Sequence, residues 1–323
     1  MRLLRWYRMI RLGILGAGNI AHRFMKGVQG AETFSVVSVY ARKADKAKQF
    51  ADDFNIQSYT DDLHQFLNHD ELDAVYIATP NFLHFENVMQ ALRAGLHCMV
   101  EKPAFIEPAQ ALSAYQFAQE HNLILMEAMK VCYLPTTQKA KQWLNEGKIG
   151  KVIHMEASFC RKSDIDASHP IFDVQKGGGA LFDVGCYALA MVRELLNEPN
   201  HVDAWFHLCA SGVDDTAELL LTYQEAWASI QASFLLDKQN AAIIYGSEGT
   251  ITIPDFWKSS RMELQRYDGL KESFICDQPS EFTPQINYFA DLILGKVKSN
   301  ASISGLLNCG IIKEAIEHGY NQN

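Results

Sequence analysis

The stretch Ile10-Arg11-Leu12-Gly13-Ile14-Leu15-Gly16-Ala17-Gly18-Asn19-Ile20-Ala21 decides the fold class of this chain. Ile10 to Leu15 is a short β-rich run without period-2 alternation, as expected of a strand buried on both faces. Asn19 to Val28 follows with the spacing of a helix. Between them, Gly16 permits a tight turn and Gly18 lets a ligand approach the backbone. Ala21 is small enough for the helix to pack on the strand. A helix that begins here presents unpaired amides and the positive end of its dipole. The pyrophosphate of a dinucleotide can therefore sit against Gly16, Ala17, Gly18, Asn19 and Ile20. A plain strand-to-helix turn is the alternative.

The pattern repeats outward from this turn. Between Arg11 and about Met129, β-rich runs at Phe34–Tyr40, Ala74–Ala78, His97–Val100 and Leu123–Met126 alternate with helix-length stretches at Lys43–Phe54, Asn81–Ala94 and Pro108–Glu120. Alternation of this kind predicts a Rossmann-type, doubly wound parallel sheet with right-handed crossovers. Helix punctuation agrees: Asp61 fits an N-cap, Pro108 a first helical position and Gly95 a left-handed stop. After Leu134-Pro135 the grammar changes. A helix through Trp143 and a strand Val152–Phe159 lead to the Gly177-Gly178-Gly179 loop and a further helix ending near Leu196. Consecutive strand-like runs follow, among them His201–Cys209, Ala217–Tyr223, Trp227–Phe234 and Ala241–Tyr245, and helical patterns at Ile286–Leu294 and Leu306–His318 close the chain. Several of these runs alternate apolar with polar, which predicts an α+β unit with a large, mostly antiparallel open sheet that has one covered and one freer face. The expected organisation is a leader or tail over residues 1–9, a nucleotide-binding domain over 10–130 and a substrate-binding and oligomerisation domain over 131–323.

Composition removes several function classes. A net charge of −9 in 323 residues argues against a nucleic-acid partner, and the basic start at Arg2, Arg5, Arg8 and Arg11 is too short to alter that. No apolar run approaches the roughly 18 residues of a membrane helix. The seven cysteines are scattered, with no pair or Cys/His cluster at metal spacing. They are expected to be reduced and mostly buried in a cytoplasmic protein that holds no metal.

Cofactor choice is written at the end of the second strand. NAD sites usually carry an acid there for the ribose 2′-hydroxyl, whereas this chain has Val39-Tyr40-Ala41-Arg42-Lys43. Arg42 and Lys43 can grip a 2′-phosphate, so NADP is favoured over NAD; two solvated first-turn cations are the alternative. Glu101-Lys102-Pro103 follows another apolar run, placing Lys102 at the carboxyl end of the sheet, where ligands bind in open α/β folds. Asp183 and Tyr187 are four residues apart and share a helix face, while Leu181, Val184, Ala188, Met191 and Leu195 occupy another. Glu127 ends the sixth strand, within reach of the site or of a structural partner.

These motifs resemble a known family when taken together. Gly16-Ala17-Gly18-Asn19-Ile20-Ala21, Ala78-Thr79-Pro80-Asn81 with His84, Glu101-Lys102-Pro103 and Gly177-Gly178-Gly179-Ala180-Leu181-Phe182-Asp183-Val184-Gly185-Cys186-Tyr187 are similar, in order, to the glucose-fructose oxidoreductase / inositol dehydrogenase / rhizopine-catabolism family. The resemblance implies a nicotinamide cofactor between two domains and an open C-terminal sheet that forms a homodimer or a dimer of dimers. It also implies that Ala78, Thr79, Pro80, Asn81 and His84 lie along the nicotinamide half, that Glu101 meets its ribose, and that Lys102-Pro103 is cis. Many sugar and inositol dehydrogenases have histidine where this chain has Tyr187. Tyrosine there resembles the glucose-fructose oxidoreductase and dimeric dihydrodiol dehydrogenase branch, which implies NADP and a pyranose or vicinal diol.

Hydride transfer at a carbinol carbon leaves a proton to be moved on the oxygen. The residues supply the parts: Tyr187 to transfer the proton, Lys102 to hold the substrate oxygen, and Asp183 to orient a hydroxyl or the lysine. A tyrosine titrates near 10, and a neighbouring ammonium is expected to bring that value down. Arg161, Lys162, Asp166 and His169 lie in the polar segment before the glycine loop, from which Arg161 and His169 can reach a small carbohydrate or diol. Phe172, Trp257 and Tyr267 can supply an aromatic platform or pack in the core, and Phe172 is included among the substrate contacts. A non-catalytic ligand sensor and a lyase with tightly held NAD are the alternative functions on this fold.

Overall fold

The structure is a computed structural model that describes residues 9–162, 169–298 and 301–320. Apart from Met9, the expected leader lies outside the described residues, as does Asp166. The first half runs β1 (Ile10–Leu15), α1 (Asn19–Gln29), β2 (Phe34–Tyr40), α2 (Ala44–Phe54), β3 (Ser58–Thr60), α3 (Leu63–Leu67), β4 (Ala74–Ile77), α4 (His84–Arg93), β5 (His97–Val100), α5 (Pro108–Glu120) and β6 (Leu125–Glu127). Its six strands are parallel in the order β3-β2-β1-β4-β5-β6. The winding reverses between β1 and β4, which opens a crevice at their carboxyl ends. The central strands are apolar on both sides, and Ile14, Leu15, Val75, Tyr76 and Ile77 are fully buried.

The second half runs α6 (Pro135–Asn145), β7 (Val152–Cys160), a π-helical turn (Leu181–Gly185), α7 (Cys186–Leu196), β8 (His201–Leu208), β9 (Asp214–Thr222), β10 (Trp227–Ser233), β11 (Ala241–Gly246), β12 (Gly249–Pro254), β13 (Arg261–Arg266), β14 (Lys271–Ile275), α8 (Thr283–Ile293) and α9 (Ala301–Tyr320). The strands form one sheet, β14-β13-β12-β11-β7-β10-β9-β8, antiparallel except where β7 meets β10. One face packs under α6 and α7 through Met155, Ala157, Ile230, Leu219 and Ile244. The opposite face leaves Trp205, Leu220 and Trp227 exposed. Among the described residues no helix is long and apolar enough to cross a membrane.

The two closing helices return to the first half. Phe282, Ile286 and Phe289 of α8 and the residue before it join the core beneath α1 and β2, with Phe289 stacked on Phe34 at 6.0 Å. Gly27 permits this approach, because a Cβ there would stand 2.6 Å from that of Phe282. α9 crosses from α5 and β6 to β8, so it touches both sheets.

Three local features depart from the sequence-based expectation. Asp62, not Asp61, caps α3 by accepting the Gln65 N–H at 3.0 Å; the two are adjacent acids, and only the geometry separates them. The three-residue β3 is too short to leave a periodic signal. The helix carrying Asp183 opens with a π turn, where an apolar pattern gives no warning of the wider winding. Replacing Phe289 with Ala should destabilise the first half by about 3–5 kcal/mol, read as an earlier transition in urea. A change below about 1 kcal/mol would mean that α8 is not part of that core.

Candidate active site

The crevice at the end of β1 is a cavity of about 650 Å³ lined by Gly16, Ala17, Gly18, Arg42, Lys43, Ala78, Thr79 and Pro80 among others. Gly16 has φ +112°, and a Cβ there would stand 2.7 Å from the Ala78 carbonyl oxygen, so only glycine lets the two loops meet. At Gly18 a Cβ would meet nothing within 4 Å. That open space lies directly at the start of α1, where phosphate oxygens would find free amides. Arg42 and Lys43 are exposed beside it, and Lys46, one turn along α2, lines the same wall.

The far edge of the crevice is held from behind. His84 is completely buried, with Nδ1 2.9 Å from the Pro103 carbonyl oxygen and Nε2 2.8 Å from that of Thr79. Burial pulls its pKa below the ordinary histidine value, although both carbonyls oppose the shift. Asn87 Nδ2 donates to Thr79 Oγ1 at 2.9 Å. The Lys102-Pro103 bond is cis.

Lys102 extends from this loop to the second half of the molecule. Its Nζ donates to Asp183 Oδ1 at 3.0 Å and to the Asp183 backbone oxygen, and stands 4.8 Å from the centre of the Tyr187 ring. The lysine side chain is 12% exposed and the aspartate 42%, so the acid is the outer member of the pair. Burial pulls the Lys102 ammonium down, but the Asp183 carboxylate, close by and hydrogen-bonded to it, works against this, and the pKa stands well above the usual lysine range. For Tyr187 the balance goes the other way. Burial pushes the phenol well above its ordinary value, and Lys102, the largest opposing influence, does not reverse it. The expectation that the ammonium would bring this tyrosine toward neutrality is therefore corrected: desolvation exceeds the charge interaction.

A family description, "Oxidoreductase family, NAD-binding Rossmann fold", matches residues 10–129, and the GFO/IDH/MocA C-terminal domain matches residues 137–252. The chain belongs to the GFO/IDH/MocA oxidoreductase family. It is 32% identical over 298 residues to the scyllo-inositol 2-dehydrogenase (NADP(+)) IolU of Bacillus subtilis (strain 168), covering 90% of this chain and 89% of that protein. It is 30% identical to a trans-1,2-dihydrobenzene-1,2-diol dehydrogenase of Xenopus tropicalis over 76% of each chain. A 3-ketoreductase from Actinomadura kijaniata, crystallised with NADP and TDP-benzene, superposes with a TM-score of 0.86 at 26% identity, covering 97% of this chain and 98% of that one.

Within this family frame, the structure brings Lys102, Asp183 and Tyr187 together and gathers Gly16, Ala17, Gly18, Arg42, Lys43, Ala78, Thr79 and Pro80 around one crevice. Asn19 and Ile20 open α1, and Asn81 opens the turn that leads into α4. Three acidic or basic residues expected to touch the cofactor are buried and hold protein partners. His84 clasps the loop; buried Glu101 accepts the Tyr76 hydroxyl at 2.5 Å; buried Glu127 accepts the Ala104 N–H at 2.9 Å, beneath the Lys102 loop. Burial raises both carboxyls. Of the expected substrate contacts, Arg161 is exposed at the end of β7, His169 caps the turn Pro170–Phe172 through the Ile171 N–H at 3.2 Å, and Phe172 packs edge-on against Phe234. Trp257 stacks on Phe159 at 3.6 Å, whose ring in turn borders Tyr187.

Lys130 carried no sequence signal, yet it is buried 3.3 Å from Glu281 and 5.9 Å from the Tyr187 ring centre, with burial bringing its pKa down to about 8. Lys46 was legible only as a cation three residues beyond Lys43. Replacing Gly16 with Ala forces both a left-handed φ and a clash, costing about 1–3 kcal/mol, or roughly tenfold and more in NADPH affinity. Fluorescence titration of bound NADPH reads this directly, and an unchanged Kd would contradict it.

Proposed function

We propose that the protein is an NADP-preferring dehydrogenase or reductase that moves hydride between nicotinamide and a carbinol or carbonyl carbon of a sugar, cyclic polyol or vicinal diol. The observation that carries this is the Lys102–Asp183 contact beside Tyr187, on the loop after β5, the strand paired with β4, whose following loop lines the crevice. Residues 10–130 serve as the cofactor unit and residues 131–323 as the substrate and oligomerisation unit. Gly16, Ala17, Gly18, Asn19 and Ile20 hold the phosphates, and Ala78, Thr79, Pro80 and Asn81 border the nicotinamide half. Arg42, Lys43 and Lys46 favour a 2′-phosphate, in keeping with the NADP named for the Bacillus and Actinomadura relatives.

Bound nicotinamide supplies or accepts the hydride. Lys102, kept cationic by Asp183, donates a hydrogen bond to the substrate oxygen and stabilises negative charge as it develops there. Tyr187 moves the proton on the same oxygen. Because burial keeps this phenol protonated at neutral pH, it is ready to donate and must be deprotonated before it can accept. The sign follows. Carbonyl reduction runs with the protonated form and falls only at alkaline pH, whereas alcohol oxidation rises as the pH is raised from neutrality.

The exposed Trp205, Leu220 and Trp227 on the free sheet face support pairing with a second copy, and seven free cysteines are in keeping with a cytoplasmic protein.

Scyllo-inositol, aldopentoses, aldohexoses and trans-1,2-dihydrobenzene-1,2-diol should be screened with NADP and NAD in parallel by absorbance. At least one should turn over with a clear preference for NADP that Arg42→Ala reduces. A wild-type preference for NAD would overturn the cofactor assignment. Tyr187→Phe should lower kcat by about 10²–10⁴-fold, and wild-type turnover in that variant would refute its role.

A further inference from the structure

Asp214, the first residue of β9, lies outside the crevice and is completely buried. Its Oδ2 accepts the Leu181 N–H at 2.7 Å and its Oδ1 accepts the Tyr320 hydroxyl at 2.8 Å. Its own N–H donates to that same hydroxyl at 2.8 Å. Gly179, with φ +118°, presses against it so closely that a Cβ there would stand 2.1 Å from Oδ1.

A carboxylate loses its hydration on burial and is retained where hydrogen bonds replace the water. Here the bonds come from two distant elements. Leu181 opens the π turn, and its N–H is one of the first-turn amides that a helix cannot satisfy internally. Asp214 performs for this turn what an N-cap side chain does, but from a strand 33 residues away in sequence. Two residues further along, Asp183 holds Lys102 through both its side chain and its backbone oxygen. Burial pushes the Asp214 carboxyl up to about 6 against the opposing pull of the Leu181 amide and the Tyr320 hydroxyl, so around pH 7 the charged form accepts both bonds.

We infer that Asp214 is a positioning residue for the hydride-transfer reaction: it pins the Gly179–Leu181 segment so that Asp183 holds Lys102 against Tyr187. The inference rests on the roles proposed above for Lys102 and Tyr187. Tyr320, at the end of α9, fixes Asp214 in turn. The set of contacts links the last helix of the fold to the turn that presents the acid.

The test uses the full chain with Asp214→Asn, which keeps the shape and one acceptor, and Asp214→Ala, which removes both. Misplacement of catalytic groups by about 1 Å costs up to roughly 10²-fold, so Asp214→Asn should lower kcat by about tenfold and Asp214→Ala by more. Both are assayed well below their melting temperatures, per NADP-binding site, with scyllo-inositol or whichever panel compound turns over fastest. The Kd for NADP should stay within about twofold of wild type, because its crevice is built by the other sheet. The isotope effect on kcat with substrate deuterated at the carbinol carbon should rise, since only the chemical step slows. A purely structural role would lower the melting temperature and leave kcat per site and the isotope effect unchanged, which overturns the inference. If Asp214→Ala does not fold, Asp214→Asn decides alone. Tyr187→Phe run beside them separates two failures: wild-type turnover there refutes the proposed chemistry and this inference together. A collapse there beside an unaltered Asp214→Asn refutes the positioning role alone.

Discussion

The contact between Lys102 and Asp183 is the constraint on which the rest of the site depends. It joins a loop at the end of the parallel sheet to a turn that belongs to the other sheet, 81 residues later. An ammonium that is 12% exposed is expensive to hold, and attraction repays that expense only where geometry is good and the remaining donors are used. Two of the ammonium's three donors are met by the Asp183 carboxylate and backbone oxygen, with the Tyr187 ring alongside, which leaves one donor for a substrate oxygen. The result is a fixed positive charge beside a phenol that burial keeps protonated. A cation and a proton donor side by side are what a carbonyl oxygen requires as it takes up negative charge.

Much of the surrounding polar structure serves to keep this pair in register. Glu127 and His84 both reach the loop that carries Lys102, through the Ala104 N–H and the Pro103 carbonyl respectively. His84 also reaches Thr79, so one side chain ties the loop bordering the crevice to the loop bearing the lysine. Asp214 does the corresponding work beneath the turn that carries Asp183. None of these groups needs to touch a ligand. Burial makes the bonds to Ala104, Pro103, Thr79 and Leu181 costly to lose, which favours the loop arrangement that makes them, although Glu127 Oε2 is buried without a partner.

The parallel sheet was legible because its strands lie in continuous apolar runs and its helices carry separate, well-punctuated patterns. Pro108 opens α5 as expected, and Gly95 is left-handed just past α4. Lys102 was legible from its place after a buried strand at the carboxyl end of the sheet, and Asp183 and Tyr187 from their four-residue spacing on one helix face and the family resemblance. The residues that were not legible are those whose meaning depends on distant partners. Asp214 sits in an ordinary strand sequence, Lys130 in an apolar turn, and nothing local marks either as buried. The ionisation of Tyr187 was misjudged for the same reason: a neighbouring charge can be inferred from motifs, but desolvation depends on packing that only the whole fold reveals. Helix α8 likewise reads as part of the second half and packs in the first, because pairing between distant apolar faces leaves no trace in either segment.

The most direct test is a single-turnover measurement of hydride transfer in Lys102→Met, with NADPH bound and carbonyl substrate added. Methionine keeps the unbranched stem of the side chain and ends it before the ammonium, which removes its charge and donors. Loss of that stabilisation should slow the transfer by about 10²–10³-fold or more while NADPH binds within a few-fold of wild type. Transfer within about tenfold of the wild-type rate would contradict the assignment of Lys102 as the group that stabilises the reacting oxygen.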